Sequence, residues 1–178
     1  MKKGMKCCAA VFFGLCAMFT GLYLGNRSWA LSWAITFGTC FYHFAMRLLV
    51  GYAVDRILDN KADYSRRWYQ LLPFEQRLYR RLRVKKWKNH MPTYDPACFD
   101  PKLHSWEEIV QAMCQAEIVH EVIVVLSFLP LLGAIPFSAF GIFLITSVLA
   151  ACYDLSFVIM QRFNRPRILK LINKNARV

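Results

Sequence analysis

The sequence predicts an all-α integral membrane bundle of about four transmembrane helices, with a basic amphipathic helix lying at one membrane surface. Three observations predict it. The chain of 178 residues is 57% hydrophobic, yet its formal net charge is +12. The two properties separate along the chain, into long apolar runs and compact basic blocks. Those blocks fall where four crossings would put them all on one side of a bilayer. A chain of this length is ordinarily one domain, and residues 1–178 read as a single membrane domain.

The first apolar run, about residues 7–25, carries no charge and is long enough to span the hydrocarbon layer. Lys2, Lys3 and Lys6 precede it as in a secretory leader, but no small-residue cleavage site follows, which favours an uncleaved helix. Asn26-Arg27-Ser28 makes a polar turn. The second run, about 29–54, places Trp29 and Trp33 as interfacial anchors and is interrupted by His43 and Arg47.

Residues 55–115 form a polar, basic and aromatic region. Between Phe74 and Trp87, Leu78, Leu82 and Val84 alternate with Arg77, Arg80, Arg81, Arg83, Lys85 and Lys86. That pattern predicts one amphipathic helix on the membrane surface, its cations reaching anionic headgroups. A basic run with aromatics also suits nucleic acid, but its attachment to apolar spans favours lipid as the polyanion, with no nucleic-acid partner. Pro92, Pro96 and Pro101 punctuate a loop, and Ser105 with Glu108 has the spacing of a capping box. The third span follows, about 116–132, ending at Gly133-Ala134-Ile135-Pro136, and the fourth runs about 137–160. The tail, 161–178, is basic again, and Pro166 is expected to break or kink its helix.

Charge placement predicts the topology. Of 23 Lys and Arg, three precede the first span, twelve lie between Arg56 and Lys102, and six lie from Arg162 onward. All three blocks share a face after four crossings, so a multi-pass protein of the cell membrane with both termini cytoplasmic is expected. Seven cysteines, mostly in or beside apolar runs and without metal-type spacing, read as small buried hydrophobes in a reducing setting.

Ionisable side chains inside apolar helices cost a few kcal/mol each even on lenient scales, so they need a partner or a role. His43 and Arg47, four apart, share a helix face. Glu117, His120 and Glu121 lie at spacings that can direct all three into one site, and Asp154 and Gln161 are two turns apart on the fourth span. Acids can pair with Arg47, Arg162 or Arg165, and Glu117 can orient His120 as a general base. The cationic and amide groups are suited to a developing oxyanion or a phosphate. The plainer alternative is a polar network that holds the bundle together. His43, His120, Glu117 and Glu121 would also suit zinc or iron, but the nearby arginines oppose a cation, and no bound metal is predicted. No Gly-rich phosphate loop, serine elbow or catalytic cysteine context is present.

Three pieces in order carry a resemblance: Arg83-Val84-Lys85-Lys86-Trp87-Lys88, then Ala116-Glu117-Ile118-Val119-His120, then Gln161-Arg162-Phe163-Asn164-Arg165-Pro166-Arg167-Ile168. Together they resemble the glycosyl-4,4'-diaponeurosporenoate acyltransferase family, bacterial membrane enzymes of carotenoid pathways. The resemblance spans about residues 83–171, and the tail motif is its most specific part. It implies a membrane enzyme that moves a fatty acyl group from an acyl thioester to a hydroxyl of a glycolipid or other lipid. The donor would be acyl-CoA or an acyl carrier protein, with no bound cofactor, and membrane lipids would be the surrounding partners. Residue chemistry then suggests His120 as catalytic base with Glu117 orienting it. His43, Arg47, Gln161, Arg162, Asn164 and Arg165 would be substrate-binding. The rival reading is a lipid-binding or accessory subunit of a larger membrane complex. A transporter fits less well, because four helices without internal repeat offer little room for alternating access.

Overall fold

A computed structural model describes residues 2–137 and 140–175, and among these residues every regular element is helical. Helix α1 (Lys2–Leu24) and helix α2 (Ala30–Leu58) form an antiparallel hairpin. The turn between them is closed by Asn26 in the left-handed conformation (φ 70°). The Asn26 amide donates to the Tyr23 carbonyl and the Arg27 amide to the Leu22 carbonyl, which satisfies two otherwise orphaned helix-end carbonyls. Aromatic rings from both helices hold the hairpin shut: Phe12 meets Phe44 at 5.5 Å, and Phe19 meets Phe37 at 5.4 Å and Trp33 at 5.9 Å. The two helices approach so closely that a Cβ at Gly38 would sit 3.3 Å from Cys16 Sγ.

The interfacial region is a folded cap rather than the single amphipathic helix expected. A 3₁₀ turn at Arg67–Tyr69 leads into α3 (Pro73–Arg81) and α4 (Val84–Trp87). The two are separated because Arg83 adopts the left-handed conformation (φ 50°), which no α-helix can continue through. The amphipathic pattern survives within α3. Glu75 and Tyr79 are buried, whereas Phe74, Leu78 and Leu82 are exposed on the other side among Arg77, Arg80 and Arg81.

Helix α5 (Trp106–Leu126) starts at the predicted capping box. The Glu108 amide donates to Ser105 Oγ at 3.3 Å and the Ser105 amide donates to Glu108 Oε2 at 2.8 Å. It ends six residues before the expected limit of the third span, because Pro130 cannot donate an amide and the chain tightens into a 3₁₀ segment, Leu129–Gly133. A short α6 (Ala134–Phe137) follows. Helix α7 (Phe140–Asn175) then runs to the end of the described residues and takes in the basic tail. Pro166 lies inside α7 without ending it, so of the break or kink expected the break does not occur.

Three stretches, Lys3–Leu24, Trp106–Phe137 and Phe140–Asn175, are long and apolar enough to cross a membrane. Helix α2 is of similar length but is not among them, and it is the helix that carries His43 and Arg47. The core has two parts. Met46, Val50 and Val54 of α2 pack on Ile123 of α5. Nearer the tail, Ala62, Tyr69, Val110 and Cys114 pack together with Ile168, Leu169 and Ile172 around them. All seven cysteines are free thiols.

Candidate active site

Helices α5 and α7 pack antiparallel, and two ionic clusters sit along their seam. The cluster nearer the tail centres on Glu117, which is fully buried. One oxygen of Glu117 accepts from Arg162 Nη1 at 2.6 Å, and the other pairs with Arg165 Nη2. Arg162 uses every N–H it has. Nε donates to Glu75 Oε1 at 2.7 Å, and Nη1 also donates to the Trp68 carbonyl at 2.8 Å. Nη2 donates to the Gln70 carbonyl and to Glu75 Oε2, both at 3.0 Å. Arg165 Nη1 donates to the Tyr69 carbonyl at 2.7 Å, and its guanidinium lies 5.1 Å from the centre of the Tyr69 ring.

Burial alone would raise the Glu75 carboxyl. Hydrogen bonds from Arg162, the Leu72 amide and Tyr79 outweigh that and hold it below the ordinary value of 4.5. Burial, and then the hydrogen bond to Glu75, push the Tyr79 phenol well above its usual range. This cluster stitches the cap to the two long helices, and among the described residues Arg165 Nε is its one buried polar atom with no partner at all.

The second cluster is differently built. Asp154 of α7 is buried, and its two oxygens are divided between two other helices. Oδ1 lies 2.9 Å from His120 Nδ1 of α5, and Oδ2 pairs with Arg47 Nη2 of α2. Arg47 also donates from Nη1 to the His43 carbonyl at 2.9 Å. The His120 ring stacks on Phe157 at 4.5 Å, with 7° between the planes. Its orientation is therefore fixed from two directions. Nε2 of His120 makes no hydrogen bond among the described residues, and the side chain retains 21% of its exposure. Both ring nitrogens of His43, one turn before Arg47, are buried and lack a partner among the described residues.

The structure therefore redistributes the residues singled out in the sequence. His120, His43 and Arg47 come together, but Glu117 does not orient His120. It faces the tail arginines, and Asp154 takes its place. Arg162 has every N–H engaged within the protein, and Arg165 is buried between the Tyr69 carbonyl and Glu117. Asn164 accepts from Lys88 Nζ at 2.8 Å, and Gln161 is buried without a hydrogen bond among the described residues. Glu121 accepts from the Trp68 indole at 3.0 Å. With both glutamates committed elsewhere, the four residues suited to a metal do not converge, and no group of three such side chains gathers among the described residues.

Asp154 is the residue whose weight sequence reasoning missed. A carboxylate in an apolar helix was itself the signal, but nothing local to α7 named its partners. Glu75 and Lys88 were missed for the same reason: each pairs across more than seventy residues.

Chemically, a carboxylate that accepts from Nδ1–H leaves the lone pair on Nε2, the tautomer a general base needs. Arg47 supplies the countercharge for Asp154 on the side away from the ring.

A family model described as glycosyl-4,4'-diaponeurosporenoate acyltransferase matches residues 65–174, and the chain belongs to this family. The match takes in the cap, α5 and α7, and so His120 and Asp154, while Arg47 and His43 precede it. No curated protein and no solved structure matches the chain.

Proposed function

We propose that this member of the glycosyl-4,4'-diaponeurosporenoate acyltransferase family is a membrane-embedded enzyme using His120 as general base. It would transfer a fatty acyl group from an acyl thioester to a hydroxyl of a glycolipid or other lipid. The observation that carries the reading is the Asp154–His120 pair, at 2.9 Å, with Nε2 left open.

In the proposed reaction, Nε2 removes the proton of the acceptor hydroxyl as its oxygen attacks the thioester carbonyl. The C–O bond forms, the C–S bond breaks, and the imidazolium returns its proton to the departing thiolate. Asp154 holds the ring and stabilises the imidazolium while it exists. The family's name makes a glycosylated carotenoid acid one candidate acceptor. The three basic blocks favour an orientation with both termini and the cap on the cytoplasmic side.

The test compares lipid extracts by mass spectrometry from cells making wild type, His120→Ala or Asp154→Asn at matched protein levels. Wild type should yield a lipid heavier by one acyl chain, and His120→Ala should lower that product by about 10²–10⁴-fold. Product formation undiminished in His120→Ala would sink the reading.

A further inference from the structure

Next to the carboxylate-paired arginines on α7 stands a pair of cations in the opposite condition. Lys88, following α4, and Arg167 of α7 both lie against the Phe163 ring, Nζ at 5.8 Å and the guanidinium carbon at 4.6 Å from its centre. Lys88 Nζ donates to Asn164 Oδ1 at 2.8 Å, and neither cation has a carboxylate partner among the described residues. Burial, and then the Arg167 charge, push the Lys88 ammonium below its ordinary value. Two positive charges gathered on one ring repel each other unless an anion joins them. One helical turn away, Arg162 and Arg165 are matched to Glu75 and Glu117, so the fold has acids at hand and does not spend them here.

Contacts between the cap and α7 run from this pair toward His120. Met91, three residues beyond Lys88, places its sulfur 3.9 Å from Ser156 Oγ. Ser156 adjoins Phe157, on which His120 stacks. Along α7, Asp154 and Arg167 are thirteen residues apart, which is about 20 Å at the axial rise of an α-helix. An extended phosphopantetheine arm spans a distance of that order between its phosphate and its sulfur.

We propose that Lys88 and Arg167, with Asn164 and Phe163 between them, hold the phosphate of a phosphopantetheine thioester, so that the arm delivers the acyl carbonyl to His120. The proposal rests on the acyl-transfer reading for its purpose, and its test separates the two. Full-length protein in phosphatidylcholine nanodiscs would be titrated by calorimetry with 4'-phosphopantetheine and with pantetheine, which lacks the phosphate. Wild type should bind the phosphorylated compound at least about tenfold tighter, as a charge-assisted contact to two cations requires. The Lys88→Gln/Arg167→Gln double variant should lose that preference. The same variant should raise the KM for acyl-CoA by a similar factor while leaving kcat, and turnover of acyl-pantetheine, within about twofold.

A wild type without preference for the phosphorylated compound overturns the proposal, as does a preference that survives the double substitution. If the cations instead hold a lipid headgroup, phosphatidylglycerol in the nanodisc should abolish the preference in wild type, which also overturns the donor assignment. A preference that stands although no donor gives acylated product keeps the phosphate site and removes the acyl-transfer reading instead.

Discussion

The two ionic clusters on the α5–α7 seam each join a buried carboxylate to arginine and begin only eight residues apart on α7, at Asp154 and Arg162, yet they are opposites in bonding. Around Glu117 nearly every donor meets an acceptor. Arg162 places all five N–H groups, and the buried carboxylate is shared by two guanidinium groups. Around Asp154 the acid is equally buried, but capacity is left over among the described residues: His120 Nε2, on the ring Asp154 orients, makes no hydrogen bond, and the ring nitrogens of His43 lack partners. A saturated network has nothing left to offer a substrate, whereas one that is satisfied on one side and open on the other is prepared for one. Charge inside an apolar helix is thus an ambiguous signal on its own. The residual hydrogen-bonding capacity separates scaffold from site.

The largest effect that tests this contrast is on stability. Glu117→Ala strips two buried arginines of their shared carboxylate, and breaking such a pair costs about 3–5 kcal/mol. The expected result is a large loss of folded protein, read by size-exclusion yield and thermal unfolding in detergent. A Glu117→Ala protein that folds normally but makes no product would reverse the contrast and return Glu117 to the catalytic role its spacing suggested.

A smaller effect concerns pH. The folded-state value of Glu75 is depressed, so an unfolded chain takes up its proton first as the solution is acidified. The stabilisation from Glu75 is therefore complete above the ordinary value of 4.5 and is lost as pH falls through the lower folded value. Glu75→Gln should unfold at lower temperature than wild type at neutral pH, with the gap narrowing in acid. A gap independent of pH would show that the carboxylate charge contributes nothing to the cap.

The smallest effect lies outside both clusters. Ser105→Ala removes the N-cap of α5 and should cost about 1 kcal/mol of stability without changing acyl product per folded molecule. A change in product per folded molecule would mean that the start of α5 communicates with His120, four turns away.

Much of the helical framework was legible because its signals are local. Apolar run length marked the three stretches able to cross a membrane, though α2, also expected to span, is not among them; the Ser105–Glu108 spacing marked the start of α5, and Asn26 lies in the turn that polarity alone predicted. The pairings were not legible, because helical spacing gives a face and not the neighbour opposite it. Glu117 and His120, three residues apart, point within about 60° of each other on a helical wheel, which made a shared site reasonable. The cap and the last third of α7 crowd one side of Glu117, while Asp154 meets His120 one turn further along. The break at Arg83 was hidden for a related reason: a basic run with good helix formers on both sides carries no sign that one of its members will adopt positive φ.

Helix α7 continues unbroken through Pro166, so Asp154, Arg162, Arg165 and Arg167 are fixed to one another as marks on a single rod. One residue inserted between Asp154 and Arg162 would turn everything beyond it by about 100° and advance it by about 1.5 Å. No such insertion leaves Asp154, the anchor to the cap at Arg162 and Arg165, and Arg167 all in register. The spacing of these residues along the helix is therefore a more stringent mark of this arrangement than the identity of any one of them.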